Sequence, residues 1–167
     1  MIDEIDRQIL NILQQNARTT NAEIARQVGM APSAVLERIR KLETRGVIRG
    51  YEARIDPEAL GLNLLAFVFV RADDLGSART GEALSHIPEV QEVHHIAGED
   101  CYLAKVRARD AKTLARLLRE RFAGSGTVRS TRTTVVLETL RESALVPIAA
   151  ETAAEAEPVE KEEEVLL

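Results

Sequence analysis

The 167-residue sequence predicts an α+β protein made of two small domains. Within about the first 55 residues, apolar residues recur three times at helical spacing, and a short hairpin pattern follows. The rest of the chain predicts strand, helix, strand, strand, helix, strand, which is the order of a split βαβ fold. Both cores should be aliphatic, because 45% of the residues are apolar and only 3% are aromatic.

The net charge of −5 is distributed unevenly along the chain. Residues 1–55 hold nine Lys and Arg against seven Asp and Glu, whereas residues 151–167 hold seven Glu against one Lys. Local patches govern DNA binding more than overall charge does, so the acidic total does not exclude a nucleic-acid partner. The single Cys excludes an internal disulfide, and no apolar run is long enough to cross a membrane. We therefore expect a cytoplasmic protein.

Two helices are predicted in the first 30 residues. The first follows Asp3, which can cap it, and carries apolar residues at helical spacing from Ile5 to Leu13. The second follows Thr20, which can form a capping box with Glu23. It ends at Gly29, where a left-handed residue is needed. The first helix is expected to support the second and to carry no chemistry.

The third helix is predicted to begin at Pro32 and to end before Gly46. Val35, Ile39 and Leu42 form its buried stripe, and the opposite face is polar and basic. The first turns of such a helix reach DNA base edges, and basic residues further along reach phosphates. The candidates for base readout are Ser33, Ala34 and Glu37, and those for the DNA backbone are Arg40, Lys41, Arg45 and Arg49. Arg38 is a further candidate for DNA contact, although it could instead pair with an acid of the same domain.

A hairpin is predicted directly after the third helix. Val47-Ile48 and Glu52–Ile55 would flank Arg49-Gly50-Tyr51 as a wing, in which Arg49 and Arg54 could contact phosphate. The pattern is that of a winged helix-turn-helix. Two amphipathic helices with a solvated charged face are the alternative. The cap, the turn glycine, the helix lengths and the hairpin all favour the DNA-binding module over 1–55, with a hinge at 56–61.

Several motifs in this half resemble the DNA-binding half of the Lrp/AsnC (feast/famine) regulators. They are Ala31-Pro32-Ser33-Ala34-Val35, Arg38-Ile39, Leu42-Glu43, Gly46-Val47-Ile48, and the opening Ile5-Asp6-x-x-Ile9-Leu10 with Asn16-Ala17-Arg18. The resemblance extends from Ile2 to about Arg141. It implies a transcriptional regulator that binds double-stranded DNA, assembles with itself into a dimer or an octamer, and senses a small molecule such as an amino acid. One departure is Ala31, which stands where the family usually has Ser or Thr and should cost about 1 kcal/mol of helix stability.

Residues 62–143 are predicted to form the sensor and oligomerisation domain. The strand Leu62–Val70 is apolar on both faces, so both must be covered. In a domain this small, we expect one cover to be a second copy of the chain. Further elements are predicted as a helix over Ser77–His86, strands over Val90–Ile96 and Tyr102–Ala108, a helix capped by Asp110, and a last strand over Thr127–Leu140. The resemblance implies a ferredoxin-like βαββαβ (RAM-type) fold here.

The turn before Tyr102 lies where the family has Gly-x-x-Asp followed by an aromatic residue. Gly98 and Tyr102 match this pattern, but Cys101 occupies the Asp position and Asp100 precedes it. The resemblance implies that effectors bind at this loop, and a carboxylate with exposed N–H groups suits an amino acid. The candidate effector-binding residues are Gly98, Glu99, Asp100, Tyr102, Thr133 and Thr134. A plain hairpin turn with solvated acids is the alternative.

No constellation in the sequence predicts catalysis or metal binding. His94 and His95 are adjacent in a strand and point to opposite faces, so they cannot converge on one ion. Cys101 has no recognisable partner, and no phosphate-binding or dinucleotide-binding motif is present. We expect no enzyme activity, no metal and no cofactor. An architectural DNA-compacting protein and a small ferredoxin-like enzyme are the alternatives. Residues 147–167 are predicted to be a disordered acidic tail.

Overall fold

The computed structural model describes residues 2–73 and 79–148. The chain divides into two compact units, one of residues 1–53 with the segment from Ser143 onward, and one of residues 54–142. The predicted start of the helix over Ser77–His86 and the acidic tail from residue 149 lie outside the described residues. Within those residues, no helix is both long and apolar enough to cross a membrane.

The first unit contains the three predicted helices, which are α1 (Glu4–Gln15), α2 (Asn21–Val28) and α3 (Pro32–Thr44). Asp3 and Thr20 form the capping boxes at the starts of α1 and α2. Gly29 ends α2 in the left-handed conformation with φ of 69°, which only glycine adopts at little cost. Ala31 precedes α3 without a side-chain cap, as predicted. The fully or nearly buried core residues of this unit are Ile9, Leu13, Ile24, Ala25, Val35 and Ile39.

The predicted wing hairpin is wrong, because the described residues 47–56 contain no strand. The backbone N–H groups of Val47 and Ile48 both donate to the carbonyl of Leu42, at 2.9 and 3.2 Å, so they close the end of α3 and are not available to a strand ladder. The phenol O–H of Tyr51 then donates to Oε1 of Glu43 at 2.9 Å, which links this segment back to α3. Partial burial and this carboxylate raise the pKa of Tyr51 to about 12.

The second unit has the predicted order of strands and helices. After a short 3₁₀ turn (Glu58–Leu60), its elements are β1 (Leu64–Ala72), α4 (Arg79–Ser85), β2 (Val90–His95), β3 (Tyr102–Ala108), α5 (Ala111–Leu117) and β4 (Val128–Val135). A π-helical turn (Leu118–Phe122) extends α5. The four strands pair antiparallel in the order β2-β3-β1-β4. Asp110 caps α5 by accepting from the N–H of Thr113 at 2.7 Å.

The sheet has one covered face and one open face within a single chain. On β1, alternate residues from Ala66 to Ala72 are buried against side chains of the helices, including Leu84, Leu114 and Phe122. The remaining side chains from Leu65 to Arg71 project from the opposite face and are not part of that core cluster; Phe67 and Phe69 there are half-buried, and Leu65 is 8% exposed. The last strand ends at Val135, five residues before the predicted end at Leu140, and Leu140 is 87% exposed.

Candidate nucleic-acid interface and ligand-binding turn

The outward face of α3 carries most of the residues predicted to contact DNA. Ser33 and Glu37 are exposed, whereas Ala34 is half-buried. Lys41 lies one turn after Glu37, and its Nζ is 2.7 Å from Glu37 Oε1. Arg40, Lys41, Arg45 and Arg49 are all exposed on or just after the helix. The exposed face of α3 is therefore a polar first turn followed by a basic half, while Val35, Ile39 and Leu42 are buried behind it.

Arg38 differs from the other basic residues of α3 because its guanidinium is held inside the unit. Its NH1 lies 2.6 Å from Asp3 Oδ2 and 2.8 Å from Asp6 Oδ1, and its side chain is 28% exposed. Both acids belong to the start of α1, and Asp6 is only 7% exposed. Of the two roles considered for Arg38, the structure shows the ion pair within the domain. Arg38 thereby links α3 to the start of α1.

The same cluster makes the stability of this unit sensitive to acid. The N–H of Asp6, and then the Arg38 guanidinium, hold the pKa of Asp3 below its ordinary value. A carboxyl whose pKa is lowered by folding stabilises the folded state above its ordinary pKa, which is about 3.9. That stabilisation is lost as the pH falls through the lowered value. The capping box of α1 should therefore weaken only below about pH 4.

Replacing Arg38 by Met should destabilise the first unit by about 2 kcal/mol, because Asp6 is left buried without its counter-charge. Urea unfolding followed by circular dichroism measures the loss, and hydrogen exchange at the amides of α1 and α3 locates it. Arg40→Met is the matched control, since Arg40 is exposed on the same helix. It should change the free energy of unfolding by less than about 0.5 kcal/mol. Equal losses in the two variants would contradict the bracing role of Arg38.

A second group of basic residues lies around α2, and it is not among the DNA-contact candidates that the sequence predicts. Arg18 is exposed in the turn between α1 and α2, and Arg26 is exposed in the last turn of α2. They line an open polar cleft of about 580 Å³ together with Asn16, Thr19, Glu23 and Gln27. In helix-turn-helix proteins the helix before the recognition helix crosses the DNA backbone, so the position of these residues was already a signal in the sequence. They are additional candidates for phosphate contact.

The turn at residues 98–100 joins β2 to β3, as predicted. The N–H of Ile96 donates to the carbonyl of Cys101 at 2.9 Å and closes the hairpin. Asp100 forms an ion pair with Arg132 of β4, with 2.9 Å between Oδ2 and NH2. The Arg132 guanidinium also lies 4.0 Å from the centroid of the Phe69 ring. No local pattern in the sequence predicts this role for Arg132, because it is 32 residues from Asp100 along the chain.

Glu99 has a separate partner at the same turn. The Nε of Arg71 donates to the Glu99 carbonyl at 3.1 Å, and its NH2 lies 3.3 Å from Glu99 Oε2. Each of the two acids of the turn thus forms an ion pair with an arginine, Glu99 with Arg71 of β1 and Asp100 with Arg132 of β4. Gly98 precedes them with φ of 138°, and no heavy atom lies within 4 Å of the Cβ position that another residue would occupy there.

The other predicted effector residues are divided between the two faces of the sheet. Tyr102 is only 6% exposed and belongs to the core, where its ring contacts His95 with 5.1 Å between centroids. A Cβ added at Gly81 of α4 would lie 2.8 Å from this ring, so the helix packs tightly on it. Thr133 pairs with the inward residue Val68, whereas Thr134 pairs with Phe67 on the open face. The sheet therefore separates Tyr102 and Thr133 from Thr134.

The open face of the sheet combines an apolar area with a charged network. The apolar side chains there are Leu65, Phe67, Phe69 and Leu103. Beside them, Lys105 pairs with Glu92 and Glu142, and Arg107 NH2 lies 3.1 Å from Glu142 Oε2. The hydrogen bond from Lys105 holds the pKa of Glu142 below its usual value. In the parts of the chain that the structure describes, no group of three or more His, Cys, Asp and Glu side chains could hold a metal ion.

An exposed basic recognition helix in a helix-turn-helix unit, followed by a ferredoxin-like unit, defines the chain as a two-domain DNA-binding regulator. Residues 2–43 match the AsnC-type helix-turn-helix domain, and residues 65–146 match the Lrp/AsnC ligand binding domain. The chain belongs to the Lrp/AsnC family of transcriptional regulators.

Similar proteins support this assignment along most of the chain. The HTH-type transcriptional regulator LrpA of Mycobacterium tuberculosis is 42% identical over 139 residues, which cover 83% of this chain and 91% of the relative. The leucine-responsive regulatory protein of Klebsiella pneumoniae is 38% identical over 146 residues, covering 85% and 88%. A feast or famine regulatory protein from M. tuberculosis, solved in complex with L-methionine, has a TM-score of 0.82 at 39% identity, covering 89% of this chain and 100% of that one.

Proposed function

We propose that this protein is a sequence-specific transcriptional regulator that oligomerises through its second unit and responds there to an amino acid. The observation that carries the DNA-binding part is the exposed outer face of α3, held in position by the Arg38 pairs with Asp3 and Asp6. A rigid recognition helix enters the major groove at a defined angle, which sequence readout requires.

The proposed contacts divide by what they can recognise. Ser33, Ala34 and Glu37 read base edges, because they occupy the first turns of α3. Arg40, Lys41, Arg45 and Arg49 contact phosphates, and we add Arg18 before α2 and Arg26 in its last turn. We assign Arg38 to positioning α3. These contacts predict strong salt dependence, since each neutralised phosphate releases condensed counterions.

Fluorescence anisotropy with a labelled duplex from the protein's own upstream region tests this function. Titration against a scrambled duplex, at several salt concentrations, should show a preference of about a thousandfold and a steep salt slope. Equal and salt-sensitive binding to both duplexes would instead favour an architectural DNA-compacting protein. We propose no enzymatic activity, and turnover that survives removal of residues 1–55 would contradict that part.

An amino-acid effector is proposed at the ion pair between Asp100 and Arg132. These two side chains carry opposite charges 2.9 Å apart at one edge of the sheet, and Arg132 is 64% exposed. An α-amino acid presents an ammonium and a carboxylate at similar spacing, so Asp100 can accept from the ammonium and Arg132 can donate to the carboxylate. The methionine-bound state of the M. tuberculosis feast or famine protein supports this class of ligand. Gly98 and Glu99 belong to the same turn, and Thr134 to the same face.

Replacing Asp100 by Asn or Arg132 by Gln should weaken amino-acid binding by tenfold or more, because each change removes one charge that matches the zwitterion. Isothermal calorimetry with L-methionine and L-leucine measures the affinity. Arg129→Gln is the control, since Arg129 lies on the same strand and its loose pair with Asp73, at 3.8 Å, is 69% exposed on both sides. If none of the common amino acids binds the unmodified protein, the effector proposal fails.

Self-assembly is proposed through the open face of the sheet. Phe67, Phe69 and Leu103 are half-buried there and form an apolar area with Leu65, outside the core cluster that the helices cover. A second copy supplies an identical face, and a two-fold axis brings the same patch of each chain together. Dimers would present two recognition helices to a roughly palindromic operator. Four such dimers would form the octamer that the family resemblance implies.

A further inference from the structure

The segment that begins at Ser143 is attached to the helix-turn-helix unit by a specific contact. The Gln14 side chain of α1 donates from Nε2 to the carbonyl of Val146 at 3.0 Å, and its Oε1 accepts from the N–H of Val146 at 3.0 Å. Both backbone groups of Val146 are thus paired with one amide. Gln14 is itself oriented by a bond from Nε2 to Asn11 Oδ1 at 3.0 Å.

This contact places Val146, which precedes the acidic end of the chain, beside α1. The match to the ligand binding domain ends at residue 146, so residues 147–167 lie outside both matched domains. Residues 149–167, here called the acidic tail, contain seven Glu and one Lys. They follow directly on a segment that is fixed to the helix-turn-helix unit.

The acidic tail is long enough to reach any face of that unit. A chain of 19 residues can extend to at most about 60 Å. A unit of about 50 residues has a radius of gyration near 10 Å. Because the tail is tethered, its local concentration at the unit is in the millimolar range.

We infer that the acidic tail docks on the basic outer face of α3 and competes there with DNA. The charges are complementary, since the tail has a net charge of −6 and the exposed basic residues Arg40, Lys41, Arg45 and Arg49 lie together at α3. Glutamates can replace phosphates as acceptors for these side chains. Weak tethered competition lowers affinity for all DNA, and only a duplex with good base contacts then displaces the tail.

Carbodiimide cross-linking of the full-length chain tests the docking without DNA. The chain has four lysines, Lys41, Lys105, Lys112 and Lys161, and of these only Lys41 lies within residues 1–53. Tail glutamates should cross-link to Lys41 several times more than to Lys105 or Lys112, and 0.5 M salt or one equivalent of duplex should suppress the product. Lys41→Arg keeps the charge and should remove that product alone. Equal yields at Lys41, Lys105 and Lys112 would overturn the inference.

The role of the contact between Gln14 and Val146 can be tested in the same experiment. Gln14→Leu removes both hydrogen bonds to Val146 and should lower the Lys41 product at least twofold. Gln15→Leu is the matched control, because Gln15 is the exposed neighbour at the end of α1. An unchanged yield in Gln14→Leu would show that the contact does not direct the tail.

The consequence for DNA binding rests on the proposed function and has its own readout. A chain ending at Ile148, and a full-length chain with all seven tail glutamates replaced by Gln, should both bind a scrambled duplex about tenfold more tightly at 50 mM salt. The difference should narrow at 300 mM salt, because the competition is electrostatic. Equal affinities at low salt would overturn the competition. If the cross-link forms but no variant binds DNA, the tail docks and the proposed function is what fails.

Discussion

Reversing the charges of Arg40 and Lys41 should lower the affinity for DNA by about a thousandfold or more at 100 mM salt. Both side chains are exposed on the outer face of α3 and flank Glu37, which is a proposed base-reading residue. Arg40→Glu with Lys41→Glu removes two favourable phosphate contacts and adds two repulsive ones in every protomer. Counterion release then contributes less, so the slope of log affinity against log salt should also become shallower.

The matched control is the same change on another exposed helix. Lys112→Glu with Arg116→Glu alters the net charge equally, but on α5 of the second unit. If local contact governs binding, this control should lose less than about fivefold. Equal losses in the two double variants would show that only overall charge matters, and the proposed interface on α3 would be wrong. Circular dichroism should show unchanged helix content in both.

Replacing Phe67 by Glu should abolish the proposed self-assembly and leave a monomer. Phe67 lies on β1 in the open face of the sheet, and its partner in the register on β3 is Lys105. A glutamate there can pair with Lys105 in a single chain, so the fold is preserved. In an assembly the same carboxylate would be buried in an apolar contact, which costs several kcal/mol and raises the dissociation constant about a thousandfold.

Light scattering after size-exclusion chromatography measures the outcome directly. The unmodified chain should elute as a multiple of 18.4 kDa, and the variant as a single chain of about that mass. Ala115→Glu is the control, because it adds the same charge to an exposed position of α5. It should leave the mass of the assembly unchanged. An assembly that persists in Phe67→Glu would move the proposed interface away from the open sheet face.

Where structural signals are local, the sequence predicted the structure well. Capping boxes extend over four residues, and helical stripes repeat within two turns, so α1, α2 and α3 followed from short stretches. Alternating apolar residues likewise predicted β3 with its observed ends. The wing prediction was wrong because it relied on a local pattern alone. Its apolar pattern suited a strand, but the N–H groups of Val47 and Ile48 were taken by the carbonyl of Leu42.

The sites depended on contacts between residues far apart in the chain. Arg38 meets Asp3 across 35 positions, and Arg132 meets Asp100 across 32, and no local pattern encodes either partner. Likewise, Tyr102 matched a family motif, but the strand register turned its ring into the core and away from the open face. The sequence by itself therefore determined the helices, the order of strands and the family. Only the tertiary structure decided which arginine joins α3 to α1, which acids of the turn form ion pairs with arginines, and which side chains share a face of the sheet. These features follow from packing between residues that are far apart in the sequence.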